Sequence, residues 1–444
     1  MDFEPTDRCK ALLERVRDFM DAHVYPNERE AEAALDREVD ADTPFPAIIV
    51  EMRERAKAAG LWNLALPDER YGPGLTNAEY GVLSEEMGRA TLVAPYAFNC
   101  QPPDTGNMEI LGEHATQAQN ERWLQPLLEG EIRSCYSMTE PDTAGSDPTG
   151  LACAATLDGD EWVINGRKWW TTNALGAQVA IVMAVTDPDA PAHGRATMIL
   201  VPTDTPGFNL VRPLSNFGHV EGPGHWEVEY DNCRVPAELC TLGPRGGGFK
   251  VSQDRLGPGR IHHCMRLIGV AERALELMCQ RAKSREMFGG TLADKQFVQE
   301  FIATSRIEID QARLVTSHAA WKLDQVGNRL AREELSITKV AVPNMALRVI
   351  DRAIQVWGGA GVSEDTPLAG MYRYNRMLRI GDGADEVHKQ VIARMELRKV
   401  QPIDGIGPDA GWGPPARIAA AAAAAGGAPA AGSNGAGASA GQRA

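Results

Sequence analysis

The chain predicts an α+β protein in which two helical regions bracket a stretch of sheet. Three observations carry this. Residues 7–130 place apolar side chains mainly at helical spacing. Residues 131–242 break into short runs rich in Val and Ile, bounded by Gly, Pro, Asp and Asn. Residues 249–400 return to long helical patterns with few interruptions. The expected layout is an N-terminal α-helical domain (1–133), a middle β-sandwich or barrel (134–242), a C-terminal four-helix bundle (243–400) and a tail (401–444).

The first helix is expected over residues 8–25, with Leu12, Leu13, Val16, Phe19 and Met20 on one stripe, and Pro26 is expected to stop it. A second helix covers 46–59 and ends at Gly60. A third covers 76–88, capped by Thr76 or Asn77. Another covers 117–128 and closes at Gly130. In the middle region Asp158-Gly159 and Asn165-Gly166 read as two-residue hairpin turns, because Gly accepts the positive φ such turns need. VAIVMAVTD, ATMILVPTD and HWEVEYDNCRVP read as strands. Long helices are expected over 265–287, 293–326 and 332–357, followed by a shorter one. From Ala419 onward the tail is Ala- and Gly-rich, with few groups to bury, and reads as disordered.

Composition narrows the function classes. A formal net charge of −15 over 444 residues argues against binding nucleic acid through phosphate neutralisation. The eight cysteines contain no C-x-x-C pair, so they read as reduced thiols rather than a metal site or disulfide frame. No apolar run approaches the ~20 residues of a membrane span, which predicts no stable membrane insertion. The N-terminus shows no secretory or transit pattern, which predicts a cytoplasmic protein.

Four stretches carry chemistry. CYSMTEPDTAGSD begins at Cys135 and offers the Thr139 hydroxyl, the Glu140 acid and Gly145-Ser146-Asp147, a loop suited to presenting N–H groups to a ligand. It is answered by NGRKWWTTN, ending at Asn173. Strand alternation there puts Trp170 and Thr172 on one face, a flat ring beside a hydroxyl, which suits a planar heterocycle. RLGPGRIHHCMR (255–266) reads as a Gly/Pro turn leading into a helix. Its adjacent His262 and His263 would not share a helix face, so they read poorly as a metal pair. Arg285 follows a helix in SREMFGG, and QVWGGAG (355–361) ends one. The latter does not link strand to helix, so it is no dinucleotide fingerprint. In RIGDGADEVHK, Asp382 sits between two glycines just before a helix. It reads either as an N-cap or as a carboxylate reaching into a cleft.

Together these motifs resemble the acyl-CoA dehydrogenase family over residues 7–400. The Asp-Gly-x-Asp-Glu-Val-His form, with LGPGRIHHCMR upstream, is most similar to the subgroup of family members 10 and 11. The resemblance implies FAD as cofactor and acyl-CoA as substrate. It implies Asp382 as the base that removes the α-proton, where the family usually has Glu, one methylene longer. Tyr136, Met138, Thr139, Gly145, Ser146, Trp170, Thr171 and Thr172 would contact the flavin, with Ser146 also touching the substrate's pantetheine end. Arg285, Gln355, Gly358 and Gly359 would serve the FAD of a neighbouring subunit, and Ala384, Asp385 and Glu386 would meet FAD beyond the base. Gly383 would line the thioester and Arg260 would lie near the adenylate or pyrophosphate of acyl-CoA. The implied reaction is α,β-dehydrogenation of medium- to long-chain acyl-CoA, branched or 4-hydroxylated chains included, in fatty-acid β-oxidation. Electrons would pass to electron-transferring flavoprotein, and the assembly would be a homodimer or homotetramer. The alternatives are an oxidase on the same scaffold, acting on acyl-CoA or nitroalkanes, and a flavin-binding protein without turnover. Nitroalkane oxidases also use an Asp base.

Overall fold

The computed structural model describes residues 4–220, 222–400 and 402. The tail expected to be disordered lies, save for Pro402, outside the described residues. One compact unit runs to Lys389, and residues 390–397 complete the final helix.

Helix α1 (Asp7–Phe19) starts where the Thr6 hydroxyl accepts from the Cys9 N–H at 3.2 Å. Pro26 does not stop the chain, contrary to expectation. Residues 20–24 wind as a π turn, 25–27 as a 3-10 turn, and α2 (Glu28–Glu38) follows directly. Proline lacks a backbone N–H, and the first turn of a new helical segment needs none there. Helix α3 spans Ala47–Ala58, and α4 (Asn77–Gly88) opens with a reciprocal cap between Thr76 and Glu79. Helix α5 (Asp104–His114), which the sequence pattern did not predict, is almost wholly buried along its first two turns. Periodicity is silent on a helix that is buried all round.

The middle region is one mixed sheet of eight strands: β1 (Ser134–Ser137), β2 (Ala154–Asp158), β3 (Glu161–Thr172), β4 (Val179–Val185), β5 (Ala196–Pro202), β6 (Phe208–Leu214), β7 (His225–Pro236) and β8 (Thr241–Leu242). The order is β6-β7-β3-β2-β4-β5-β8, with β1 parallel to β4. β2 and β3 form the expected hairpin, but its loop residues are Gly159-Asp160, since Asp158 still pairs with Glu161. Asn165-Gly166 is not a hairpin turn. It forms a bulge inside the continuous β3, and a Cβ on Gly166 would lie 2.7 Å from the Cys153 Cα. A second irregularity, between Lys168 and Thr171, puts Trp170 at φ 52 and breaks the strict alternation expected of it.

Three long helices follow: α6 (Gly248–Ser284), α7 (Gln296–Leu330) and α8 (Arg332–Trp357), then α9 (Leu368–Arg376) and α10 (Asp385–Leu397). The expected Gly/Pro turn at 255–260 is a correction: these residues lie inside α6, which starts 17 residues before the predicted 265. The glycines serve close approach instead. A Cβ on Gly257 would overlap the Asn328 side chain at 2.3 Å, and one on Gly259 would sit 4.0 Å from the Asp382 Oδ2. The apolar interior falls into a sheet cluster, a cluster under the N-terminal helices that includes Ile261 and Met265, and a cluster among α6, α7, α8 and α9.

Candidate active site

Asp382 lies in the loop before α10 and is not its N-cap, because the helix starts three residues later. Its φ of 56 is left-handed, which Asp tolerates better than most residues do. Several groups over-determine this conformation. Arg260 Nε donates to the Asp382 carbonyl at 2.9 Å, and His388 Nε2 lies 3.4 Å from the same oxygen. His263 Nε2 lies 3.2 Å from Oδ2. Lys339 Nζ donates to the carbonyl of Leu378 and, at 3.5 Å, to that of Gly383. Gly383 has φ 103, and a Cβ there would meet His388 Nε2 at 2.8 Å. Only glycine fits. Asp385 accepts from Arg379 Nε and Asn344 Nδ2, both at 2.9 Å, so its carboxylate pins the loop to α8. Ala384 is half-buried and Glu386 is exposed.

The charges around Asp382 are unequal. Burial works against ionisation, yet the His263 hydrogen bond and the nearby positive charge of Arg255 and Lys339 outweigh it. Its pKa is held well below the usual carboxylate range. Burial pushes the His263 imidazole down, and pushes His388 down to about 4, so both are neutral near pH 7. Arg255 lies 4.0 Å over the Tyr136 ring and donates to Asn107 Oδ1 at 2.9 Å. Burial raises the Tyr136 phenol, Arg255 opposes that, and Asp382 adds to it. The expected flavin contact on β1 and the expected base therefore sense each other. Glu109, on α5 near the same arginine, is pushed up to about 8 by burial, against the pull of Arg255. One of its oxygens is buried without a partner.

The motif that begins at Cys135 is built on a buried ion pair. Glu140, read from sequence as an acid offered to a ligand, turns inward. It meets Lys168 Nζ at 2.8 Å and accepts from the Ala152 and Cys153 N–H groups at 2.7 and 2.9 Å. Lys168 also donates to the Met138 carbonyl at 2.8 Å. Gly145 packs on Thr139, where an added Cβ would be 3.2 Å from Cγ2, and Ser146 is exposed nearby. Trp170 and Thr172 are brought together in spite of the bulge, through His225 on β7. Its ring lies 5.1 Å from the Trp170 indole, and its Nδ1 lies 2.9 Å from the Thr172 hydroxyl. Burial holds His225 at about 4, so it is neutral. Thr171 points the other way, fully buried, 3.3 Å from the Ser137 hydroxyl.

A separate cavity of about 400 Å³ gathers Arg285, Gln355, Gly358 and Gly359, beside Arg281 and Trp357. Gly358 ends α8 with φ 64, and Arg281 lies 5.1 Å over the Trp357 ring. Arg285, Gln355, Gly358 and Gly359 are exposed.

Family models for acyl-CoA dehydrogenases match the chain in three consecutive parts: the N-terminal domain at 6–131, the middle domain at 135–233 and the C-terminal domain at 246–397. The chain belongs to the acyl-CoA dehydrogenase family. The probable acyl-CoA dehydrogenase FadE2 of Mycobacterium tuberculosis is 50% identical over 401 residues, covering 90% of this chain and 98% of that protein. Acyl-CoA dehydrogenase family member 11 of Gallus gallus is 48% identical over 89% of this chain, which spans 51% of that longer protein. Among solved structures, an acyl-CoA dehydrogenase from Mycobacterium abscessus superposes with a TM-score of 0.84 at 49% identity, covering 89% and 99% of the two chains. Butyryl-CoA dehydrogenase of Megasphaera elsdenii does so with a TM-score of 0.76 at 29% identity, covering 90% and 100%. Members of the family are FAD-binding oxidoreductases that act on acyl-CoA.

In this acyl-CoA dehydrogenase, the tertiary structure adds residues that the motifs did not single out: Arg255, Arg266, Lys339, His388, His225 and Glu109. Arg255, Arg266, His225 and His388 sit within quoted stretches, but only the fold decides what they face. Lys339 lies on α8, and nothing in its local sequence marks it. His262 and His263 part company as expected: His262 stacks edge-on to Tyr80 at 4.8 Å, and His263 faces Asp382. Among the described residues no helix is long and apolar enough to cross a membrane.

Proposed function

We propose that the enzyme removes the α-proton of a medium- to long-chain acyl-CoA with Asp382 and yields a trans-2-enoyl-CoA. The observation that carries this is the fixing of Asp382: a left-handed residue, its carbonyl held by Arg260 and its carboxylate ionised beside His263. Bound FAD supplies the acceptor for the β-hydride. Trp170 and Thr172 offer the flavin a ring and a hydroxyl, with Tyr136, Met138, Thr139, Gly145 and Ser146 around them; Thr171, its side chain buried against Ser137, would meet the flavin only through its backbone. The fit is supported by the indole N–H of Trp169, buried with no partner, next to the exposed Trp170. Asp382 would contribute its N–H to the developing enolate oxygen. Gly383 would line the thioester, and Ala384, Asp385 and Glu386 would follow toward FAD. Arg260 is engaged by the Asp382 carbonyl, so a role toward the acyl-CoA phosphates requires it to contact both.

Arg285, Gln355, Gly358 and Gly359 would hold the FAD of a second copy, whose pyrophosphate suits the arginine fork. A homodimer or homotetramer follows from that reading. Straight, branched and 4-hydroxylated chains are the substrate range to test, in a cytoplasmic β-oxidation role. Electron-transferring flavoprotein is the proposed acceptor. A chain 27% identical to this one, from work on the electron transferring flavoprotein of Acidaminococcus fermentans, supports that choice. The segments 1–133, 134–242 and 243–400 are taken as the three domains.

The test is an anaerobic titration of the purified protein with long-chain acyl-CoA, followed in the visible spectrum. Bleaching that is lost in Asp382→Asn supports the reading. Flavin that stays oxidised with saturated, branched and 4-hydroxylated thioesters alike rejects it.

A further inference from the structure

Among the described residues His263 is the one side chain that pairs with the Asp382 carboxylate. Its other ring nitrogen, Nδ1, lies 2.9 Å from Arg266 Nη2. A guanidinium has no acceptor and only donates. Nδ1 must therefore accept, and must carry no proton. The single proton of the neutral ring then sits on Nε2, which faces Asp382 Oδ2 at 3.2 Å. The arginine dictates the tautomer, and the tautomer makes His263 a donor to the base.

Among the described residues Arg266 is buried and forms no ion pair. It and His263 both lie on α6, and three residues of separation put them on one helix face. We propose that Arg266 and His263 form a clamp in which the arginine fixes the imidazole tautomer and the imidazole holds Asp382 Oδ2, leaving Oδ1 to take the substrate proton. His263 is thus a positioning residue and not a proton relay. Its Nε2 already carries a proton and its Nδ1 is blocked, so it cannot receive the proton that Asp382 abstracts. A donor at this place also fits the short side chain: an Asp has one methylene fewer than a Glu with which to find the substrate, so its single swing is held rather than left free.

His263 is faced by Arg266 and His262 on α6, by Lys339 on α8 and by Asp382. Asp382 is faced by Arg255, Arg260 and the Cys264 thiol on α6, by Tyr136 on β1, by Lys339, and by His388 on α10. Burial, and behind it Arg266 and Lys339, oppose a second proton on His263 and outweigh the pull of Asp382 toward one, consistent with a neutral donor.

This inference rests on Asp382 being the base, and its test separates the two. The first measurement needs no substrate: 15N-histidine-labelled holoenzyme at pH 7, with the His263 resonances assigned by their loss in His263→Gln. The expected result is a neutral ring protonated on Nε2, which becomes a tautomer mixture in Arg266→Met, a substitution of similar bulk that removes the donor. A ring protonated on Nδ1, or an imidazolium, overturns the clamp even if Asp382 proves to be the base. The second measurement is the rate of anaerobic flavin reduction by acyl-CoA against pH. His263→Ala should slow the reduction about 10- to 100-fold, the loss of one hydrogen bond to a charged group, with KM changed much less. The acid limb should move to higher pH, because Asp382 loses a donor that favours its charged form. His263→Gln, whose amide can donate, should recover part of both. An unchanged rate and limb in His263→Ala overturn the clamp. Loss of bleaching in the unaltered enzyme rejects the base assignment and leaves the 15N result to judge the Arg266–His263 geometry alone.

Discussion

The Asp382 loop and the rim that gathers Arg285 and Gln355 are opposites. At the loop nearly every polar group has a partner within the same chain: Arg260 and His388 on a carbonyl, Lys339 on two others, Arg379 and Asn344 on Asp385. At the rim, Arg285, Gln355, Gly358 and Gly359 stand exposed around a cavity, and Phe288 and Phe297 nearby in sequence are 90% and 82% exposed. The loop is preorganised by its own chain, as a group that must meet a reacting atom needs to be. Among the described residues the side chains of Arg285 and Gln355 have no hydrogen-bond or ion-pair partner, as on a surface completed by another molecule. The difference supports the proposed chemistry at the first and the proposed assembly with cofactor at the second.

The largest expected effect breaks the loop. Asp382→Asn should lower the rate of flavin reduction by about 10²- to 10⁴-fold, as for loss of a general base, while flavin stays bound. Stopped-flow absorbance checks this, and a rate within a few-fold of the parent would move the base elsewhere. Glu109 would be the first candidate, since it faces the same arginine. A smaller effect should appear at the rim. Arg285→Ala is expected to weaken FAD retention about 10- to 100-fold, for a charged hydrogen bond lost, with the protein monomer left folded. Flavin release on dilution, followed by fluorescence, measures it.

A pair of glycines sharpens the contrast further. Gly383→Ala forces a positive φ and a 2.8 Å contact on His388, and should cost about 1–3 kcal/mol in denaturant unfolding. Gly359→Ala meets nothing within 4 Å, and should stay within about 0.5 kcal/mol of the parent. If Gly359 approaches a second copy's FAD, the same variant should nevertheless lose flavin. The smallest effect is a slope. Burial pushes the Glu109 carboxyl up to about 8 from its ordinary value of 4.5, so between those values the folded state binds more protons than the unfolded one. Stability from this group is therefore full below about 4.5 and falls as pH rises toward 8. Thermal unfolding of Glu109→Gln across that window should show a flatter decline than the parent. An identical decline in both proteins would show that Glu109 stays ionised throughout.

Much of the fold was legible in the sequence. The capping box at Thr76, the left-handed Gly130 and the strands VAIVMAV and ATMILVP announce themselves, because caps, turns and buried strands are local or strongly patterned. The α-β-α order and the motifs around Asp382 and Cys135 were readable for the same reason. What misled was punctuation. Pro26 does not end a helix, Pro258 lies inside one, and Asn165-Gly166 bends a strand without ending it. Each residue has the local preference expected of it. Packing overrode that preference where close approach mattered more, as at Gly257 against Asn328.

By itself, then, the sequence determined the order of elements, the family and the residue that stands between two glycines before the last helix. Only the tertiary structure decided what that residue touches. Arg266, His263 and Asp382 are joined by close polar contacts across more than a hundred residues of chain, and Glu140 is turned inward by a lysine 28 positions away. Distance along the chain carries no information about such contacts. They exist because the buried polar groups of separate elements must find partners when water is excluded, and which partners they find is set by how the helices and the sheet pack.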